Sequence, residues 1–434
     1  MRKLLEDWQG KGLIRKNDPT KGEGSPHSLP FFLVRKKTSS GSGIAHRGVW
    51  DGRKINSASI HRQVYMGSVA ANLGSLEKCD LFCNLDIASF FNSLPLSNVP
   101  APGHSYSSQD YCSFQTHSLG SFSFLRAPQG LHQSVSLASH IMDRVTRDLG
   151  LDVVKAFADD IMLCTKDDPE VREWRSLRHK QSGKKQVFWA SKWRERTAGG
   201  KMISTLDHLL VRIIEAGLRL QLKKCDLMKR SIQWLGFEVS SEGVKIPQKI
   251  KQDLLDEPPP QSPSGLSNLL GRLSYFRQHI PGLSLFSARL HEAAVRSPIN
   301  WKLSEKELND YFMLRKAFLN STAIGFVDYD NIDKNRLKVF IDFSHLGIAA
   351  LVTQTQQFTS GDGTTQDKEV LVGAVAKKCP RSLRHASSCR GEAAALLLAL
   401  HTFANILKHH HFILASDHLS LLYLRGLRSM KGQL

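Results

Sequence analysis

Two adjacent aspartates, Asp159 and Asp160, leave this chain few ways to fold. The apolar run Val153-Val154-Lys155-Ala156-Phe157-Ala158 precedes them and Ile161-Met162-Leu163-Cys164 follows, which reads as two short strands joined by a tight turn with carboxylates at its tip. A third run, Leu81-Phe82-Cys83-Asn84-Leu85, ends on Asp86. Two ionised carboxylates on one turn repel each other, and holding them beside a third acid is costly unless cations neutralise them. Divalent metal is the natural remedy. A two-metal site takes oxygen ligands from at least two elements, lowers the pKa of an attacking hydroxyl and clamps both the entering and leaving oxygens of a phosphoryl transfer. Asp86, Asp159 and Asp160 fit that description, although an Asp-Asp turn alone is a common solvated or capping feature.

Charge points the same way. The 434 residues carry 59 Lys plus Arg against 40 Asp plus Glu, a net charge of +19, which favours a polyanionic partner, nucleic acid first. With 41% apolar and 23% charged residues, the chain has ordinary globular composition, and wholesale disorder, a collagen-like repeat or a disulfide framework fit poorly. At roughly 100–200 residues per domain the length leaves room for about two to four domains. Seven cysteines occur with no C-x-x-C pair, so neither a zinc ribbon nor a redox motif is expected and a reduced, intracellular setting is. The histidine run His409-His410-His411 alternates faces if it lies on a strand and cannot ligate one ion as a group. The start, MRKLLEDWQG, has no apolar core of a signal peptide, and the apolar run from Ala393 to Leu400 is far short of the ~20 residues of a membrane span. A soluble protein is expected.

Along the chain, residues 1–60 read as strands joined by Gly/Ser-rich turns. Residues 166–201 form a polar, basic stretch with Trp174, Trp189 and Trp193, expected to loop out of the core. A helical period returns from Thr205 to Ala216, Glu257-Pro258-Pro259-Pro260 marks a break, and Leu266 to Phe276 reads as a helix. The C-terminal hundred residues read as strand, strand, helix, strand: Leu337 to Phe343, a strand within 367–376, Glu392 to Leu407, and Phe412 to Ser416 ahead of Asp417.

Several further blocks occur in one order, and together they resemble the reverse transcriptases of retroviruses and LTR retrotransposons, most closely the gypsy type. Pro30-Phe31-Phe32-Leu33-Val34-Arg35-Lys36 resembles the fingers strand S-P-x-x-x-V-x-K, with Leu29 in place of Ser. His46-Arg47-Gly48-Val49-Trp50-Asp51-Gly52-Arg53-Lys54-Ile55-Asn56 resembles W-R-x-x-x-D-x-R-x-L-N, with His46 for Trp and Gly52 for an aromatic. Leu85-Asp86-Ile87-Ala88-Ser89-Phe90-Phe91 matches the first catalytic block, and Ala127-Pro128-Gln129-Gly130-Leu131-His132-Gln133-Ser134-Val135 resembles P-Q-G-x-x-x-S-P, with Val135 for Pro. Phe157-Ala158-Asp159-Asp160 resembles Y-x-D-D, Leu222-Lys223-Lys224-Cys225 resembles L-x-K-C, and Trp234-Leu235-Gly236-Phe237 resembles the primer-grip block. Gly271 to Arg277 with Ile280-Pro281 resembles the thumb and its sequel.

The resemblance implies an α+β right-hand polymerase followed by an α/β ribonuclease H-like domain. Fingers and palm would occupy 1–240 with the basic insertion near 166–201, the thumb 241–300, a connection 301–334, and the ribonuclease H-like domain 335–434. It implies an RNA-directed DNA polymerase acting on RNA and DNA template–primers and dNTPs, with two Mg²⁺ per site and Mn²⁺ as a substitute, in the cytoplasm or in virus-like particles. Asp86 and Asp159 would bridge the metals and Asp160 would be a further ligand. Lys36 and Arg47 would hold the triphosphate, since a cation and a planar fork suit an anionic leaving group. Gln129 would contact the nucleotide's sugar or base, Phe91 would bar a 2′-hydroxyl, and Lys224 would donate a proton to departing pyrophosphate. Trp234, Leu235, Gly236 and Phe237 would position the primer end.

In the C-terminal region, Val339 to Ser344 resembles the first ribonuclease H strand, Gly347 to Val352 the next, and Ser416-Asp417-His418-Leu419-Ser420-Leu421 the block T-D-H-x-S-L. Asp342, Glu392 and Asp417 would then hold two ions for hydrolysis of an RNA strand paired to DNA. No acid follows Asp417, so this domain reads as C-terminally truncated, with hydrolytic activity open. Two other readings stand beside the enzyme. A catalytically decayed or domesticated retroelement product that only binds nucleic acid is favoured by the departures at Leu29, His46, Gly52, Val135 and Phe157. An RNA-templated RNA polymerase shares the palm but is not expected to carry a ribonuclease H tail.

Overall fold

The computed structural model describes all residues except 19, 21–27, 37–44, 61–68, 75, 151–152, 169–170, 172–194, 346, 360–364, 384–385 and 419–434, and the side chains of 36, 45, 47, 70, 71, 359 and 381. It divides into two units: Met1–Ser68, Cys83–Leu163 and Met202–Leu227 form one, and Val69–Phe82, Cys164–Lys201 and Met228–Leu434 the other. Most of the basic stretch expected to loop out lies outside the described residues.

In the first unit, strands β1 (Ile14–Lys16), β2 (Leu29–Lys36), β3 (Ala45–Trp50), β5 (Ser113–Thr116) and β6 (Gly120–Phe124) form a sheet in the order β1-β6-β5-β2-β3. Its core is aromatic. Phe114 is fully buried, with Phe31 stacked on it at 4.5 Å and Phe122 at 5.6 Å. A helix at Arg2–Gly10, absent from the sequence reading, closes this core with Leu5, and its Trp8 meets Phe31 edge-on. The helix has no side-chain cap and no acid in its first turn, so its local signal is weak and the aromatic contacts hold it.

Strands β4 (Leu81–Asp86), β7 (Val154–Phe157), β8 (Asp160–Thr165) and β9 (Asp226–Lys229) form the sheet that carries the aspartates, in the order β7-β8-β4-β9. The unbroken apolar run Ile161-Met162-Leu163-Cys164 is 0–1% exposed, as expected for a strand covered on both faces. Helices flank it in sequence at His132–Thr146 and Ala198–Glu215. The second begins seven residues earlier than its apolar period suggested, because Ala198-Gly199-Gly200 offers no periodic apolar face to read.

The second unit holds a small meander, β10 (Ser231–Trp234), β11 (Phe237–Ser240) and β12 (Gly243–Lys245), and helices at Gln248–Asp256, Pro263–Tyr275, Leu283–Ala294 and Glu305–Leu319. The helix Pro263–Tyr275 starts three residues before the expected Leu266, because Ser262 accepts the Gly265 N–H at 3.1 Å and Pro263 occupies the first turn. Its buried Leu266, Leu269, Leu270 and Leu273 follow the i, i+3, i+4, i+7 spacing, and each buried leucine stabilises by roughly 1.5–3 kcal/mol. Ser304 and Glu307 form a capping box at the head of Glu305–Leu319.

The C-terminal sheet has the order β15-β14-β13-β16, from β13 (Leu337–Phe343), β14 (Gly347–Thr359), β15 (Thr365–Lys378) and β16 (Phe412–Ala415). β13 alternates Leu337, Val339 and Ile341 into the core with Lys338, Phe340 and Asp342 out of it. It runs antiparallel to β14 and parallel to β16, and the helix Ser388–Thr402 supplies the crossover. That helix starts before Glu392 and breaks at Phe403, so the expected span Glu392 to Leu407 is two helices.

Candidate active site

Strand ends bring Asp86, Asp159 and Asp160 together. Asp86 closes β4, and the β7–β8 hairpin pairs Phe157 with Asp160, leaving Ala158 and Asp159 as its two-residue turn. Ala158 has φ +53°, a left-handed conformation that costs a non-glycine residue about 1 kcal/mol or more and that a two-residue hairpin turn requires. The Ile87 N–H donates to the Asp159 carbonyl at 3.2 Å, tying the turn to the strand that carries Asp86. Burial first, then the neighbouring Asp159 and Asp86 carboxylates, raise the Asp160 pKa, and Lys224 opposes the shift.

Lys224 reaches this point because its segment is laced to the end of β4. The Gln221 N–H donates to the Asp86 carbonyl at 2.9 Å and the Ala88 N–H to the Arg219 carbonyl at 2.7 Å. Lys224 Nζ then lies 3.1 Å from Asp86 Oδ2 and 3.4 Å from Oδ1. Among the described residues no group of three or more His, Cys, Asp or Glu is gathered closely enough to hold a metal ion as it stands. The donor set nonetheless fits a hard cation: three carboxylates oppose one another, and an ammonium sits on one of them.

Phe90 and Phe91 are in a short helical turn, Phe90–Ser93. The chain turns sharply at Ser89, φ +50°, so Phe90 is buried at 2% exposed and Phe91 is half-buried against it at 5.9 Å. Gln129 is exposed on the turn before the helix His132–Thr146. Lys36 and Arg47 lie on β2 and β3, with Arg47 opposite Val34, and their side chains fall outside the described part of the structure.

In the second unit, Trp234 and Phe237 flank the β10–β11 turn and are 1% and 3% exposed, so neither ring offers a surface to a ligand. What the turn presents is backbone: Leu235 and Gly236 both have positive φ, and the Tyr275 hydroxyl donates to the Leu235 carbonyl at 2.7 Å. The aromatic-glycine block is thus a core anchor for an exposed turn, with Phe237 stacked on Tyr275 at 5.5 Å.

The C-terminal acids also converge. Glu392 is 2% exposed, its Oε1 accepts the Phe343 N–H at 3.1 Å and its Oε2 the Ser416 hydroxyl at 3.4 Å. Burial, then the charges of Asp417 and Asp342, raise its pKa above the ordinary carboxyl value. Asp342 and Asp417 are exposed. Sequence reasoning missed Ser416 as a partner of Glu392, and it missed Trp50 and Asn56, which hold the backbone around Gln129. Such contacts join residues 74 and 79 positions apart and leave no local signal.

Comparison with known proteins agrees with this geometry. Residues 44–239 match the family described as reverse transcriptase (RNA-dependent DNA polymerase), and residues 333–434 match the RNase H-like domain found in reverse transcriptase. The retrovirus-related Pol polyprotein from transposon 297 of Drosophila melanogaster is 23% identical over 433 residues, 99% of this chain and 35% of that protein. The chain spans about a third of the length of the curated relatives it matches. A foamy viral protease–reverse transcriptase in complex with dsDNA has a similar fold, with a TM-score of 0.72 at 15% identity over 100% of this chain and 77% of that one. The foamy viral protease–reverse transcriptase in complex with an RNA/DNA hybrid gives 0.69 at 15% identity, covering 98% of this chain and 49% of that one. Residues 44–239 therefore belong to the reverse transcriptase family, and residues 333–434 to the RNase H-like domain found in reverse transcriptases.

Proposed function

We propose that this chain is an RNA-directed DNA polymerase that extends a primer by nucleotidyl transfer, linked to a ribonuclease H-like domain whose hydrolytic activity is open. The observation that carries the first half is the meeting of Asp86, Asp159 and Asp160 at adjoining strand ends with Lys224 on Asp86. Asp86 and Asp159 would hold two Mg²⁺ ions, or Mn²⁺, with Asp160 as a further ligand. Bound there, such ions lower the pKa of the primer hydroxyl and neutralise developing charge on the phosphates.

The chain's own groups do the rest. Lys224 Nζ carries a proton beside the carboxylates, where a departing pyrophosphate would take it. Gln129 contacts the sugar or base, Phe91 limits the room at the sugar's C2′, and Lys36 and Arg47 grip the triphosphate. Fingers and palm would lie in 1–240, the thumb in 241–300, a connection in 301–334 and the ribonuclease H-like domain in 335–434. Template–primer is the substrate class, and the complexes of the structural neighbours with dsDNA and with an RNA/DNA hybrid support it. Asp342, Glu392 and Asp417 would hold the ions of the hydrolytic site. Among the described residues no helix is long and apolar enough to cross a membrane, and the proposed setting is the cytoplasm or virus-like particles. Primer extension on an RNA template with Mg²⁺, beside Asp159→Asn, tests the reading. Extension lost in the variant supports it; extension in neither protein favours a decayed product that only binds nucleic acid.

A further inference from the structure

The turn that carries Gln129 is held from both sides by side chains and backbone of other segments. Downstream of it the helix His132–Thr146 begins at Leu131, whose side chain accepts no hydrogen bond, so the first N–H groups of the helix need acceptors from elsewhere. Asn56, 8% exposed and 76 residues away, supplies one: its Oδ1 accepts the His132 N–H at 3.0 Å. Its Nδ2 donates to the Gly130 carbonyl at 2.7 Å. The indole N–H of Trp50, 5% exposed, donates to the Gln129 carbonyl at 2.8 Å. Two successive carbonyls and the His132 N–H are thereby fixed by two buried side chains of one short segment. Gly130 has φ +96°, which lets the chain turn sharply between these points of attachment.

Upstream, the Ala127 N–H donates to the Leu94 carbonyl at 2.9 Å and the Arg126 guanidinium to the Ser93 carbonyl at 3.2 Å. Ser93 and Leu94 lie two and three residues after Phe91, so the same strap that bears Gln129 is tied to the end of the segment running from Asp86 through Phe91.

We propose that Asn56 and Trp50 are positioning residues for nucleotide binding, acting through the Gln129-Gly130 backbone and touching no substrate themselves. This rests on the reading of Gln129 as a nucleotide contact. Their hydrogen bonds set where the Gln129 side chain stands relative to the carboxylates, and an ill-placed amide weakens nucleotide binding without altering the metal ligands.

Two measurements on the full chain separate the possibilities. Amide hydrogen exchange over residues 126–134 reports the clamp itself. Asn56→Ala should speed exchange there by tenfold or more while leaving Ile161 to Cys164 protected, and Trp50→Phe, which removes only the indole donor, should do so more weakly. Single-nucleotide insertion reports the consequence. Asn56→Ala should raise the KM for dNTP about tenfold with template–primer affinity unchanged, and Trp50→Phe two- to fivefold. In a Gln129→Ala background, Asn56→Ala should change KM less than twofold, because the side chain it places is gone. Unchanged exchange, or effects of Asn56→Ala and Gln129→Ala that multiply, would overturn the proposal. Gln129→Ala with wild-type KM would instead remove the nucleotide reading of Gln129, and the clamp's role with it.

Discussion

At the residue scale, the sharpest assignments concern groups whose environment is unlike that of an ordinary surface side chain. Lys224 is 58% exposed, so its ion pair with Asp86 contributes little to stability, about 0–1 kcal/mol. Lys224→Met should therefore leave the melting temperature nearly unchanged and lower the single-turnover rate by about 10²-fold, the usual contribution of a positioned acid; equal loss of both would mark a structural lysine. Phe91 is half-buried beside Phe90, and Phe91→Val should raise ribonucleotide over deoxyribonucleotide insertion by about tenfold or more, roughly 1.4 kcal/mol. Glu392 gives a pH prediction. Its folded pKa is raised, so protonation favours the fold, and wild type loses stability as pH rises from the ordinary carboxyl value of 4.5 through the folded one. Glu392→Gln escapes that loss, so thermal melts should show the two equal in acid and the variant more stable at neutral pH. Parallel melting curves at every pH would contradict the raised pKa.

At the scale of elements, legibility follows how local the cause is. The strand Leu337–Phe343 and the body of the helix Pro263–Tyr275 were readable because strict alternation in one and the leucine period from Leu266 in the other lie within the segment, while the Ser262 cap and Pro263 start the helix three residues earlier than that period shows. The helix Arg2–Gly10 was not, because Trp8 and Leu5 find their partners on a sheet built from residues beyond 14. The carboxylate turn was legible as a motif, but the helical turn that buries Phe90 and leaves Phe91 half-exposed was not, since it hinges on Ser89 at positive φ. Trp50 and Gly52 show a related point. A Cβ at Gly52 would come within 3.1 Å of the Trp50 ring, so the missing aromatic at Gly52 and the ring at Trp50 are one packing solution. Helix seating gives a stability prediction. A Cβ at Gly391 would stand 2.2 Å from the Phe343 ring, so Gly391→Ala should destabilise the C-terminal unit by about 1–3 kcal/mol despite the better helix propensity of alanine. A denaturant melt with an unchanged or raised midpoint would mean that the helix reseats freely.

At the scale of the molecule, a net charge of +19 separates binding from chemistry. Affinity for template–primer drawn from many dispersed phosphate contacts should fall steeply and linearly with the logarithm of salt concentration. On the proposed reading Asp86, Asp159 and Asp160 act in the chemical step, and removing one negative charge from a site facing polyanion should not weaken binding. The most direct measurement is therefore template–primer affinity and RNA-templated extension in Mg²⁺ on the same preparations of wild type, Asp86→Asn and Asp159→Asn. Binding within about twofold of wild type with extension reduced by about 10³-fold or more is the expected result, the scale of removing a group that stabilises the transition state. Normal extension by either variant would contradict the assignment of the site.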